Sequence, residues 1–227
     1  MTTLQVICAY SGAQETFDRH LPIWKANVAD TIVVCPQGSG INPRGMDQYY
    51  VGLKGHNGAV AMQRYLNLLT LLSSREFCSC ELIVIQDYDS LCFSAEIPVP
   101  QHPVGGVLKK SNDPKTKFKG DFYIHPPNMF TREGLNLVLS YAPKLPPESE
   151  GGFFDRWLGY LCQLNSISVT DWNAVGLGYS CNTIDEFHLD EACDYARKGC
   201  VMFHGVKTEE CLNAIQAARK EHLQNAA

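Results

Sequence analysis

Short, continuous apolar runs alternate along the chain with longer stretches in which apolar residues recur at helical spacing. LQVICAYSG, beginning at Leu4, is an apolar run that closes in small residues, and ETFDRHLPIWKANV follows with Phe17, Leu21, Trp24 and Val28 at helical spacing. DTIVVCPQGSG is a second apolar run, stopped by proline and glycine, and a polar, glycine-containing segment then carries the chain to Lys54. Strand, helix and strand in this order predict a βαβ unit with a parallel pair.

GHNGAVAMQRYLNLLTLL places Ala61, Tyr65, Leu68, Leu69 and Leu72 on one face, which predicts a core-packing helix. It leads into CELIVIQDYDSLCF, apolar at nearly every position, as expected of a central strand covered on both faces. The run stops where Asp87 and Asp89 begin. Ligands of open α/β sheets bind outside the carboxyl ends of the strands, so the two aspartates stand where a site belongs.

The pattern changes in the proline-rich stretch 94–128, whose short strands GGVLKK and GDFYIHP flank a lysine-rich loop and predict a small antiparallel β segment. TREGLNLVLSYA then reads as a helix with Thr131 as N-cap and Glu133 in its first turn. EGGFFDRWLGYLCQL reads as another helix, SISVTDWN as a strand, GCVMFHGVKT as a strand ending in His and Lys, and EECLNAIQAARKEHL as a final amphipathic helix. No internal repeat or linker interrupts this order. The expectation is one α/β domain over residues 1–227, its mostly parallel central sheet flanked by helices. Residues 1–93 would form a nucleotide- and metal-binding half, 94–210 an acceptor half, and 208–227 a C-terminal helix.

Composition narrows the function classes. A formal net charge of -5 gives no general attraction for nucleic acid or an anionic membrane. The longest apolar runs are too short to span a bilayer, and Met-Thr-Thr-Leu-Gln runs into a strand without the pattern of a signal peptide. The 10 cysteines, several inside apolar runs, read as reduced and buried. Together these predict a soluble protein of the cytoplasm, the host's cytoplasm if the source is viral. Cys78-Ser79-Cys80 has no second pair at zinc-site spacing, so structural zinc is not expected.

Two carboxylates separated by one residue on a turn after a strand can reach one hard divalent cation together. Mg²⁺ or Mn²⁺ held in this way typically completes its shell with substrate phosphate oxygens. The bare Asp-x-Asp tripeptide also suits a solvated turn. Its place after a buried strand, with His204 and Lys207 near the end of the chain, is what points to a site.

In the order of its elements the chain resembles a glycosyltransferase of the GT-A fold. The matching pieces are LQVICAYSG and IVVCPQG as nucleotide-binding strands, IVIQDYDS as the metal motif, EGGFFDRWLG as the acceptor-side acidic helix and MFHGVK as the C-terminal His segment. They span residues 4–207. The resemblance implies a nucleotide-sugar donor of the UDP type, a Mn²⁺ or Mg²⁺ cofactor and a glycan or other hydroxyl acceptor. It implies Asp87, Asp89 and His204 as metal ligands, with Asp89 the direct carboxylate and Asp87 also near the ribose or sugar. Ala9, Tyr10, Ser11, His56, Asn57, Tyr88 and Lys207 would contact the nucleotide sugar, Lys207 at the diphosphate. Tyr10 either stacks on the base or packs, and His56 and Asn57 either touch the nucleotide or cap the following helix. Asp155 would be the general base of an inverting transfer, chosen over Glu150, which lies in the more polar run PPESEGG.

Other readings stay open. The run KKSNDPKTKFK carries Lys109, Lys110, Lys115, Lys117 and Lys119 with one acid. Such a run is either a solvated loop or the contact surface of an enzyme that places sugar on hydroxylated bases of nucleic acid, with Phe118 or Tyr123 as a stacking face. A nucleotidyltransferase would also pair aspartates with a metal, but CAYSGAQETF lacks the glycine-rich, basic loop it needs. An inert nucleotide-binding module would keep the same acids.

Overall fold

The computed structural model describes residues 2–26, 29–53, 58–93, 97–110, 120–144 and 154–226. In chain order its main elements are β1 (Thr3–Cys8), α1 (Gln14–Lys25), β2 (Asp30–Gln37), β3 (Asp47–Leu53), α2 (Gly58–Leu72), β4 (Leu82–Asp87), β5 (Ser90–Cys92), β6 (Val104–Lys110) and β7 (Phe122–Thr131), followed by α3 (Arg132–Tyr141), α4 (Phe154–Leu164), β8 (Val169–Asp171), β9 (Gly178–Ser180), α5 (Glu186–Arg197), β10 (Met202–His204) and α6 (Glu209–Ala226). Seven strands make one sheet in the order β3-β2-β1-β4-β7-β6-β8, and β5-β10-β9 make a second, smaller sheet. In the large sheet β7 alone runs against its neighbours. The result is an α/β fold with a mostly parallel central sheet.

The largely apolar runs of β1, β2 and β4 follow from burial on both faces. Leu4, Val6, Ile32, Val34, Ile83 and Ile85 pack with Met62, Leu69, Leu135 and Trp157 of α2, α3 and α4. Ile7, Ala9 and Val33 turn the other way, onto Phe17 and Trp24 of α1. Leu82 and Val84 share that second face with Cys92 and Met202 of the small sheet. Each such side chain contributes about 1.5–3 kcal/mol by leaving water, so Ile83→Ala should cost about 2–5 kcal/mol. The predicted cap of α3 is present, with the Thr131 hydroxyl accepting from the Gly134 N–H at 3.0 Å.

Three features depart from the pattern read along the sequence. The polar segment before Lys54 contains β3, an edge strand paired parallel to β2. The two strands of the proline-rich stretch pair antiparallel as expected, but within the central sheet, where β7 lies between β4 and β6. The small sheet is instead mixed, β10 lying antiparallel to β5 and parallel to β9. Among the described residues no helix is long and apolar enough to cross a membrane.

The site owes its opening to β7. Pairing of β4 with β7 ends at Ile85 and Asn128, next to Pro126 and Pro127. Proline has no N–H to continue a ladder. The carboxyl end of β4, with Asp87, therefore runs on without this neighbour, and Pro126 lines the space beyond.

Candidate metal centre and cleft

Asp87 is the last residue of β4, opposite Cys8 in the parallel register with β1, and the turn after it is tied down where the Tyr88 N–H donates to the Cys8 carbonyl at 3.0 Å. Asp89 is held from the far side, its carbonyl accepting from the Val206 N–H at 2.9 Å. His204 ends β10, which pairs with Ser90 just past the aspartates. Two remote parts of the chain are thereby brought to one corner. One ligand atom from each of Asp87, Asp89 and His204 lies within 4.8 Å of the other two.

The details of this corner suit a cation. His204 Nδ1 donates to the Cys181 carbonyl at 2.9 Å, which leaves Nε2 facing the carboxylates. Nε2 is 3.6 Å from Asp87 Oδ2 and 3.6 Å from Asp89 Oδ1, too long for hydrogen bonds. Asp89 Oδ1 is buried and has no hydrogen-bond partner. Burial, with repulsion from Asp87, raises the Asp89 carboxyl above its ordinary range, although His204 and Lys207 oppose the shift. Burial pulls the His204 imidazole down, but the nearby carboxylates of Asp87 and Asp89 outweigh it and the net shift is upward. An orphaned carboxylate oxygen and an oriented imidazole form the mixed O and N donor set that Mn²⁺ or Mg²⁺ accepts.

Around the corner the surface is concave. An inner slot is lined by Tyr10, Val34, Pro36, Arg64, Tyr65 and Asn128, among others. A more open cleft holds Asp87, Tyr123, His125, Asp155, Arg156 and His204. Slot and cleft share Asp87, Pro126 and Phe154, so Asp87 stands at their junction. The cleft continues across Tyr123, His125 and Asn182 into a further hollow reaching Lys109 and His188.

Asp155 lies in the first turn of α4, inside the cleft that Asp87 and His204 also line. Burial pushes its carboxyl up to about 6, against the opposing effect of the Arg156 N–H and guanidinium. It is thus ionised at neutral pH and basic enough to take a proton.

The residues expected at the nucleotide fall into distinct places. Tyr10 walls the inner slot, with its hydroxyl 3.4 Å from Asp87 Oδ1 and its ring under the Arg64 guanidinium at 5.7 Å. The Ser11 hydroxyl is buried without a hydrogen-bond partner. Ala9 and Tyr88 instead pack on the α1 face, outside the residues that line the slot and the cleft. The Lys207 ammonium sits 3.7 Å from Asp89 Oδ2 and donates to the Asn182 carbonyl at 2.8 Å and the Thr183 hydroxyl at 3.0 Å. His56, Asn57, Glu150, Lys115, Lys117, Phe118 and Lys119 lie outside the described residues.

Four further residues belong to the site and escape sequence reading. Arg64 and Tyr65 are hidden in a helix whose periodicity announces only a core face. Asn128 donates its amide hydrogens to the Ile124 and His125 carbonyls, which fixes Oδ1 as an acceptor, and that atom is buried without a partner, as is the Tyr65 hydroxyl. His125 packs edge-on against His204 with centroids 4.6 Å apart and bonds Ser180 through Nδ1. Burial, then the neighbouring His204, lowers its imidazole to about 3, so it is neutral in the cleft. The one available signal was the polar pair His125 and Asn128 flanking two prolines inside an apolar strand. No protein-family model matches the chain, and no curated protein matches it.

Proposed function

We propose that this protein is a metal-dependent glycosyltransferase that moves a sugar from a UDP-type nucleotide sugar to the hydroxyl of a glycan or similar acceptor, with inversion. The observation that carries the reading is the junction at Asp87. There a three-residue metal donor set stands between a slot lined by aromatic and apolar side chains and a cleft containing an acid poised near neutrality. The inner slot offers apolar walls and two orphaned polar atoms, Tyr65 Oη and Asn128 Oδ1, which suit a base carrying an N–H beside a carbonyl.

Asp87, Asp89 and His204 Nε2 would hold Mn²⁺ or Mg²⁺, which supplies Lewis-acid stabilisation of a departing diphosphate. Lys207, already beside Asp89, adds positive charge on the same side. Asp155 accepts the proton of the acceptor hydroxyl as its oxygen bonds to the sugar carbon. The bond from that carbon to the diphosphate breaks with its electron pair going to the leaving group. Cys181 fixes the imidazole of His204, and the neutral His125 offers the acceptor a hydrogen-bonding group without adding charge.

The test is turnover. The purified protein is incubated with Mn²⁺, a panel of UDP-sugars and oligosaccharide acceptors, and product is followed by mass spectrometry. A glycosylated product that vanishes in Asp155→Asn is expected. Donor binding without transfer or hydrolysis across the panel would leave an inert nucleotide-binding module and overturn the proposal.

A further inference from the structure

Segment 181–184, which follows β9, lies across segment 204–207 and is bonded to it along its length. The Cys181 carbonyl accepts from His204 Nδ1 at 2.9 Å, and the Ile184 N–H donates to the Gly205 carbonyl at 2.8 Å. Lys207 Nζ donates to the Asn182 carbonyl at 2.8 Å and to the Thr183 hydroxyl at 3.0 Å. Gly205 adopts φ +93°, and a Cβ there would meet the Cys181 carbonyl oxygen at 2.5 Å and the Thr183 nitrogen at 3.1 Å, so only glycine lets the two segments approach this closely. The bond from Cys181 serves the proposed metal ligand His204. Those from Asn182 and Thr183 are spent on a lysine.

A lysine beside a buried carboxylate would ordinarily close on it. Lys207 Nζ instead stops 3.7 Å from Asp89 Oδ2, beyond hydrogen-bonding distance, although a bond between two charged groups is stronger than one to a neutral acceptor. Two neutral oxygens hold it there. The Thr183 hydroxyl donates its own hydrogen to the Asn182 carbonyl at 2.8 Å, which leaves its oxygen to accept from the ammonium. Lys207 is fixed at its backbone as well, where its carbonyl accepts from Arg19 Nη1 at 2.7 Å. Of the three hydrogens of the ammonium, two are taken and the third meets no hydrogen-bond acceptor among the described residues. The charge is thus kept beside Asp89 without covering the oxygens that a cation needs, and with one donor unspent.

We propose that Thr183 is a positioning residue for Lys207: with the Asn182 carbonyl it holds the ammonium beside the metal corner and off Asp89, where the unspent N–H meets a diphosphate oxygen of the donor. This inference rests on the donor site put forward above. Thr183 thereby favours a nucleoside diphosphate over a monophosphate without touching either.

The test is calorimetric titration with UDP and with UMP at saturating Mn²⁺. Thr183→Val keeps the shape of the side chain and removes the acceptor. It should weaken UDP binding about tenfold, as for a hydrogen bond to a charged group, and leave UMP binding within about twofold of the parent. Thr183→Ser returns the hydroxyl and should bind UDP like the parent. On a Lys207→Met background no ammonium is left to hold, so Thr183→Val should lower UDP affinity no further. An equal loss for UDP and UMP, or the same loss with and without Lys207, would make Thr183 a structural part of its loop and overturn the role. Unchanged UDP binding in Thr183→Val would do the same. Where Thr183→Val does not fold, Thr183→Ala carries the same comparison with the same outcomes. A parent protein that binds neither nucleotide removes the donor site itself, and with it any work for Thr183.

Discussion

The metal corner and the Asp155 wall face one cleft, and each raises a carboxyl above its ordinary range, yet they are built in opposite ways. Asp89 is surrounded by partners drawn from distant segments: His204 and Lys207 through side chains, Val206 through the backbone. Among the described residues Asp155 takes its hydrogen bond from its own helix, accepting from the adjacent Arg156 N–H at 2.9 Å, and burial is the largest influence on its proton affinity. The first arrangement assembles donors around a space and leaves an oxygen of Asp89 unpartnered. The second isolates one acid. A cation site needs several convergent groups, whereas a base needs only an environment, and the two regions divide the proposed chemistry along that line.

The widest separation between the regions should come from substitution. Asp89→Ala is expected to abolish metal-dependent binding of a UDP-sugar, a loss of at least about 10²-fold by calorimetry, since an inner ligand matters at least as much as the groups that support one. Asp155→Asn should leave that binding intact and lower transfer by on the order of 10²–10⁴-fold in a product assay. If Asp155→Asn transfers normally while Glu150→Gln does not, the base belongs outside the wall formed by α4.

A pH profile separates the two regions further. A base with its carboxyl at about 6 predicts a transfer rate that is flat above neutrality and falls about tenfold per unit below that point. The same shift has a consequence for stability with the opposite preference. The folded carboxyl lies above the unfolded value of about 3.9, so the folded state holds the proton more tightly. Its contribution is full below about pH 4, is lost as pH rises towards 6, and leaves a cost of up to about 3 kcal/mol at pH 8. Asp155→Asn, which mimics the protonated group, should therefore be more stable than the parent in urea at pH 8, with the gap closing by pH 4. A gap of equal size at both pH values would mean that burial of Asp155 does not set its proton affinity.

The smallest effect is expected at the lysine run. Replacing Lys115, Lys117 and Lys119 with Ser should change transfer to a neutral glycan by no more than about twofold, since an uncharged acceptor offers a lysine no charge to meet. With a nucleic-acid acceptor, the slope of log affinity against log salt would instead flatten by roughly 0.7–0.9 for each phosphate that a lysine no longer neutralises.

The same contrast explains what could be read from the sequence. Continuous burial writes itself into β1, β2 and β4, and the break at Asp87 marks a strand end and a site at once. Thr131 and the apolar face of α2 are equally local signals. Edge strand β3 opens on Asp47 and Gln48, exposes Tyr50 and contains Gly52, so it read as part of a polar, glycine-containing segment. Helix α5 buries small residues, Ala192, Cys193 and Ala196, and its apolar stripe is faint. Its ends were nevertheless marked, by Asp185 accepting from the Phe187 N–H and by Gly199 at φ +93° just beyond Lys198. His204 was within reach because it follows a short apolar strand, but its distance from Asp87 was not, since β10 arrives through a second sheet. Arg64, Tyr65, His125 and Asn128 acquire their meaning only from the cleft that β7 opens.

The proposed chemistry stands on Asp87, Asp89 and His204 binding a divalent cation together with a nucleotide sugar. Titrating the parent protein with UDP and a UDP-hexose in a calorimeter, with Mn²⁺ and then with excess EDTA, decides whether they do. Binding in Mn²⁺ that EDTA removes is the expected result. Nucleotide binding of equal strength with and without the metal, or none in either condition, would refute the metal centre.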